Sequence, residues 1–323
     1  MKYKFVKKLL FIINILIVSI TASSCTGVEI PNPVIQVNEW SKGMVMILVA
    51  EEKNAFENSF GKDIWSLSGT EEGTTYEDYI IQNIKECVVK IMTTNLIFTS
   101  DQIAASADDK KKIEEVSKEY YNSLTEDDLS YIGCTEEDVQ NLYNEYYKAY
   151  KTSEILIQGA NDDISVSEAK VIEVEQIKLK TLEEANDIRE KVGSKGVSFS
   201  YYAKQYSEDI VTTYQIQRGD EMSTLFPEVF YLNTGEISDV LSSQGYYYIF
   251  KCTNGYKEEE TKRRREDLIK AIRQIAFDEQ YDKFKENHLI YLKEQYWKEI
   301  SISVENNCKA NNFISLFDKY FGG

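Results

Sequence analysis

The apolar spacing of this chain changes period twice, and that change limits what it can fold into more than any other feature. From Ser41 to about Gln158 the spacing is helical: Tyr76, Ile80, Ile84, Cys87/Val88 and Ile91 share one face, as do Val139, Leu142/Tyr143, Tyr146, Ala149/Tyr150 and Leu156. Around Ala169 the pattern shortens to alternation, with Val171, Glu173, Glu175 and Ile177 against Ile172, Val174, Gln176 and Lys178. Helical spacing returns from about Glu258 to Ile300 and ends in an amphipathic tail, Asn312 to Phe321.

Local signals sharpen these boundaries. Thr125 with Asp128, and Thr135 with Asp138, read as capping boxes in which Asp stands for the usual Glu or Gln. Thr181 with Glu184 caps a helix to Val192, Gly193 and Gly196 end it, and Val197 to Tyr206 reads as a second short helix. A strand near Val211 to Gln217, a helical stretch through Phe230, the turn Asn233-Thr234-Gly235 and a final strand, Tyr246 to Cys252, complete the order β-α-α-β-α-β. The expected class is α+β: a small antiparallel sheet with surrounding helices (165–255), inserted between helical segments at 41–164 and 256–323.

Composition excludes a largely disordered chain, since 42% of residues are apolar and 12% aromatic. The net charge of −17 disfavours nucleic acid and anionic lipid headgroups as partners. At the N-terminus Lys2, Lys4, Lys7 and Lys8 precede an apolar run, Leu9 to Ile20, too short to span a bilayer. Ala22-Ser23-Ser24-Cys25 then closes it, and this resembles the lipobox of bacterial lipoproteins. The resemblance implies a signal peptide at 1–24, acylation of Cys25 and an extracytoplasmic, membrane-anchored protein working without ATP. Residues 25–40 read as a tether running into a short strand, Val34 to Val37.

Cys87, Cys134, Cys252 and Cys308 remain, far apart and without metal-ligand spacing. An exported chain could close up to two disulfides from them, but Cys87 and Cys252 fall within apolar periodic patterns. The single histidine, His288, rules out a multi-histidine metal centre, and it follows Leu268, Ile272, Ile275 and Phe284 on a helical stripe as a packing or surface residue. No metal or cofactor is expected. The basic run Lys262-Arg263-Arg264-Arg265 lies among acidic neighbours and reads as a solvated helix face.

The alternating segment resembles the parvulin-type peptidyl-prolyl isomerases. Its first half carries Gln176-Ile177-Lys178-Leu179-Lys180-Thr181 and Phe199 to Asp209, with the block Tyr206-Ser207-Glu208-Asp209. Its second half carries Arg218-Gly219-Asp220-Glu221-Met222, Phe226, Thr234-Gly235-Glu236-Ile237-Ser238 and Gly245 to Lys251. The match runs from Val171 to about Thr253. Matched by position, Met222 and Phe226 stand where the family grips the proline ring, and Asp209 at its polar Cys-or-Asp position. The family's two histidines are missing: Gln176 takes the first place and Tyr247 or Tyr248 the second. The loop from Asp209 to Gly219 is also shorter than the family's. The resemblance therefore implies catalytic Asp209, Gln176, Tyr247 and Tyr248, substrate-binding Met222 and Phe226, and reduced activity.

The whole layout is similar to the extracytoplasmic foldase lipoproteins of the PrsA and SurA kind, whose helical flanks form a SurA N-domain-like chaperone module. This implies a foldase that isomerises Xaa-Pro bonds in unfolded exported polypeptides, with a homodimer as a further partner the layout allows. The rival readings are a holdase whose parvulin domain only binds peptide, and a solute-binding lipoprotein, which would need strands that the N-terminal half lacks.

Overall fold

Helix starts in this protein are set by one repeated device. The computed structural model describes residues 40–67, 75–98, 102–288, 290, 292, 297–302 and 306–322. The lysine-led leader, Cys25 and the strand expected over Val34–Val37 lie outside the described residues. Among the described residues a reciprocal capping box opens α2 (Tyr76–Ile97, Thr75 with Asp78), α3 (Ala107–Ser123, Ser106 with Asp109), α4 (Glu126–Ile132, Thr125 with Asp128), α5 (Glu136–Ile157, Thr135 with Asp138) and α6 (Val166–Ala169, Ser165 with Glu168). Each cap contributes about 1 kcal/mol. Helix α1, Lys42–Phe60, starts instead from a Ser41 cap.

The chain forms two units, one of the described residues up to Ala160 and from Gln274 onward, the other of Asn161–Arg273. In the helical unit α1 is the centre, with Gly43 to Glu51 buried without interruption. Around it lie the stripes Ile80, Ile84, Val88 and Ile91 of α2 and Val139, Leu142, Tyr143, Tyr146 and Ala149 of α5. Among the described residues Cys87, Cys134, Cys252 and Cys308 are free thiols. Among the described residues no helix is long and apolar enough to cross a membrane.

The C-terminal helix α11, Phe313–Phe321, completes this core rather than flanking it. Phe313 stacks on Tyr143 with ring centroids 4.1 Å apart, and Tyr146 meets Phe317 edge-on at 4.8 Å. Polar groups tie the approach to α11. Asp128 accepts from the Lys309 and Ala310 amides at 2.7 and 3.0 Å, Asn54 donates to the Ala310 carbonyl at 2.9 Å, and Tyr143 donates to the Phe313 carbonyl at 2.9 Å. Glu51, inside the core, accepts from the Phe313 amide at 3.1 Å and the Ile314 amide at 3.5 Å, using the free N–H groups of the helix start.

Burial pushes the Glu51 carboxyl up from 4.5 to about 7, outweighing the two amide bonds that pull it down, and burial likewise raises its neighbour Glu52. Below the unfolded value both states hold the proton. Between 4.5 and about 7 the native state keeps a proton that the unfolded chain releases, so stability falls as pH rises through that window and levels off above it. The expected loss is of order 2–3 kcal/mol. Glu51→Gln keeps an accepting carbonyl and removes the titration. Urea unfolding at pH 5 and pH 8 should show the variant gaining on the parent at the higher pH; parallel profiles would exclude this role.

The second unit is built on a four-stranded antiparallel sheet of order β2-β1-β4-β3, with β1 Val171–Leu179, β2 Thr213–Gln217, β3 Leu241–Ser243 and β4 Tyr246–Asn254. The α+β expectation holds. Helices α7, Leu182–Gly193, and α8, Phe199–Tyr206, cover one face through Ala185, Ile188, Val192, Phe199 and Ala203. The short helix α9, Glu221–Leu225, and a 3-10 turn, Pro227–Tyr231, cover the other through Phe226, Val229 and Phe230. Strand β3 was not expected from the sequence. It joins β4 through Gln244 and Gly245, both at positive φ (51° and 80°), a two-residue hairpin hidden by a Gln where Asn or Asp is the usual signal.

One helical expectation is corrected. The long helix α10, Glu258–Lys285, stops well before Ile300. Past its end the His288 Nδ1–H donates to the Phe284 carbonyl at 2.8 Å, which also accepts the Asn287 amide at 3.2 Å, and the His288 ring stacks on Phe284 at 3.8 Å. Ile275, on the helical stripe that leads to His288, is exposed.

Candidate functional site

The α9-facing side of the sheet changes character along its length. Ile172 and Val174 of β1 are buried against Ile216, Phe226 and Phe250, and the next two residues on that face are Gln176 and Lys178. They lie opposite Phe250 and Tyr248 in the β1–β4 register. An apolar floor therefore runs directly into a polar patch. Phe226 sits 4.7 Å from Tyr248 and 5.0 Å from Phe250 by ring centroids, with Met222 half-buried beside them. Phe226 ends α9 because Pro227 follows it, and its amide still donates to the Met222 carbonyl at 3.0 Å. The stack is tight, leaving Phe226 only 2% exposed.

The segment after α8 brings Asp209 to this patch. Gln176 donates from its backbone to the Thr212 carbonyl at 2.7 Å, and Glu208 donates to the Lys178 carbonyl at 2.9 Å, so residues 208–212 run alongside β1. The Ser207 hydroxyl accepts from the Lys178 and Asp209 amides at 3.1 and 3.3 Å, which is what the Tyr-Ser-Glu-Asp block supplies structurally. Asp209 then accepts from Gln176 Nε2 at 2.8 Å on one oxygen and from Lys178 Nζ at 3.2 Å on the other. Gln176 is 1% exposed, and its Oε1 has no hydrogen-bond partner among the described residues.

Lys178 also lies over the Tyr246 ring at 4.4 Å and within 5.9 Å of Tyr248. Partial desolvation lowers its pKa, but the bond to Asp209 and the nearby phenols outweigh it and hold the ammonium above the ordinary lysine value. Desolvation raises Tyr248 and Tyr214 above the usual phenol value, the charge of Asp209 adding to the rise in both. Next to Asp209 the loop presents Ile210, fully exposed, and Val211, also exposed, with the Val211 carbonyl bonded by Tyr214 at 2.6 Å.

The structure thus gathers Gln176, Asp209, Tyr248, Met222 and Phe226 on one face. It does not bring Tyr247 there. Strand alternation turns Tyr247 to the opposite side, where it packs with Ile177, Leu179 and Ile249, so of the two tyrosines only Tyr248 belongs to the candidate site. Sequence reasoning passed over Lys178, Tyr246 and Tyr214. All three follow from the same alternation: Lys178 sits two residues along β1 from Gln176, Tyr214 lies across from Val174, and Tyr246 sits two residues along β4 from Tyr248. Among the described residues no group of three or more His, Cys, Asp or Glu side chains is arranged to hold a metal ion. The chemistry on offer is a rigid apolar floor beside a charge-paired carboxylate and a buried amide with a free acceptor.

Residues 139–256 match the family model of the PPIC-type PPIase domain, so this chain carries such a domain. Among solved structures the chain is similar to the peptidylprolyl isomerase PrsA from Bacillus cereus, at 22% identity and TM-score 0.34, covering 74% of this chain and 90% of that one. It is also similar to the PrsA isomerase from Bacillus anthracis, at 21% identity and TM-score 0.30, covering 64% and 99%, and to PrsA from Bacillus subtilis, at 18% identity and TM-score 0.26, covering 73% and 98%. A search of curated proteins returned no match.

Proposed function

We propose that this protein is a membrane-anchored, extracytoplasmic foldase whose PPIase domain isomerises Xaa-Pro bonds in unfolded exported polypeptides. The observation that carries this is the joining of Gln176, Asp209 and Lys178 to the Met222–Phe226–Tyr248 floor on one sheet face within a PPIC-type domain. An Xaa-Pro bond rotates over a barrier of about 18–20 kcal/mol because twisting removes amide resonance. No covalent step is needed. A site accelerates the rotation by holding the proline ring on an apolar surface and favouring the twisted amide with fixed polar groups. Here the floor takes the ring, Gln176 and Asp209 face the amide, and Lys178 holds the carboxylate in place of the missing histidines.

A second reading is favoured by one observation. Phe226 is almost wholly buried, and a floor that is already packed binds the edge of a peptide more readily than it encloses a proline ring. The protein would then be a holdase with a peptide-binding but catalytically silent domain. A protease-coupled proline-peptide assay on the full chain separates the two. Turnover above the uncatalysed rate that falls in Asp209→Ala supports the foldase, and aggregation suppression without turnover supports the holdase.

The anchor has its own test. Cys25→Ser should move the protein from the membrane fraction to the soluble extracytoplasmic fraction or leave it unprocessed, since the acylated thiol is gone. A variant that still takes up labelled fatty acid would refute lipidation at Cys25.

A further inference from the structure

Behind the candidate site, on the other face of the sheet, β2 and α10 enclose a cavity of about 500 Å3. Its lining from β2 is Gln215 and Gln217, which alternate with the half-buried Tyr214 and the buried Ile216 and so point away from Phe226. From α10 come Glu260, Arg263, Arg264 and Asp267. Two features of this place are incomplete as the chain stands.

The first is charge. Acidic residues outnumber basic ones by 54 to 37 in this chain, yet neither Arg263 nor Arg264 has a carboxylate within ion-pair distance among the described residues. Glu260 is paired with Lys257 at 3.5 Å, and the Arg263 charge acts on it only from longer range. Arg264 donates through Nη2 to the Arg218 carbonyl at 2.6 Å, while its buried Nε has no acceptor. Burial accordingly pulls its pKa down, the distant Asp220 compensating only in part. The basic run that reads from sequence as a solvated helix face is thus one in which Arg264 turns inward, half-buried, and Arg263 stays at the cavity mouth.

The second is the backbone. Strand β2 is the edge of the sheet. The Thr212 carbonyl accepts from Gln176, and the Gln217 amide turns the other way to donate to Asp220 Oδ2 at 2.9 Å. Even-numbered residues therefore face β1, and the amide and carbonyl of Gln215 face outward with no neighbouring strand among the described residues.

We propose that the cavity and the open edge of β2 form a second peptide site, which takes an extended polypeptide segment as an added strand and seats one of its carboxylate side chains between Arg263 and Arg264. Backbone bonds to Gln215 supply sequence-tolerant affinity and the guanidinium pair supplies the selection. The Glu260 and Asp267 carboxylates in the same wall repel a second nearby anion, so the site takes an isolated acidic residue rather than a polyanion. It needs no proline and no isomerisation.

The test uses the full chain and a fluorescein-labelled, proline-free peptide of alternating Thr and Val with one central Glu, read by anisotropy. The Glu peptide should bind at least tenfold more tightly than its Gln counterpart. Arg263→Glu, at an exposed position, should lose about tenfold, as should Arg264→Gln. Gln215→Pro removes the outward amide without touching the β1 ladder and should weaken both peptides alike. Equal affinity for Glu and Gln peptides overturns the proposal, as does unchanged binding in Arg263→Glu. If inorganic phosphate displaces the Glu peptide while Gln215→Pro has no effect, the cavity is a simple anion site and strand addition is wrong. Because the probe lacks proline, an inactive isomerase site would leave all of these results standing.

Discussion

Phe313→Ala should lower the stability of the helical unit by about 3–5 kcal/mol, the cost of emptying an aromatic position from a packed core. The ring is fully buried, stacked on Tyr143 and met edge-on by Tyr120 at 5.6 Å and Tyr146 at 5.8 Å. A loss of that size is a large part of the roughly 5–15 kcal/mol that holds a typical domain together. The protein supplies a selective probe, because its three tryptophans, Trp40, Trp65 and Trp297, all belong to the helical unit. Guanidinium unfolding followed by tryptophan emission should show the midpoint falling sharply in the variant. A shift worth less than about 1 kcal/mol would mean that α11 is dispensable and that the helical core closes without it.

The second large effect is expected in turnover. Phe226→Ala should lower the proline-isomerisation rate constant by roughly tenfold or more, equivalent to about 1.4 kcal/mol or more of floor contact expressed in the transition state. Met222→Ala, at a half-buried position, provides a variant less damaging to the fold and should act in the same direction. The rate should also be nearly flat from about pH 5.5 to 8. Lys178 and Tyr248 are both held above their ordinary values, and the only histidine, His288, caps α10 within the helical unit. A rate inflection near pH 6.5 that vanishes in His288→Gln would overturn the assignment of the site to Gln176, Asp209 and Lys178.

Both results separate what is local from what is not. Helix starts were readable because a cap is a four-residue event: Thr125 with Asp128 and Thr135 with Asp138 form the boxes their spacing suggested. The change from helical to alternating periodicity marked β1 for the same reason, and the residues of a parvulin pattern could be matched because their spacing is written along the chain. Asp128 shows the limit. Beyond its cap it accepts the Lys309 and Ala310 amides, a second use that no window around residue 128 contains.

Sequence alone therefore determined the caps at Thr125, Thr135 and Thr181 and the class of the second unit, which depend on short-range spacing, and the resemblance to the parvulins supplied the candidate residues Gln176, Asp209, Met222 and Phe226. Only the tertiary structure decided that Tyr248 rather than Tyr247 joins them, since a tyrosine pair in a strand splits between faces and one extra residue changes which face is which. It also decided that Lys178 holds Asp209 and that α11 belongs inside the helical core. Each of these is a contact between residues far apart in the chain, which leaves no periodic trace in the order of amino acids.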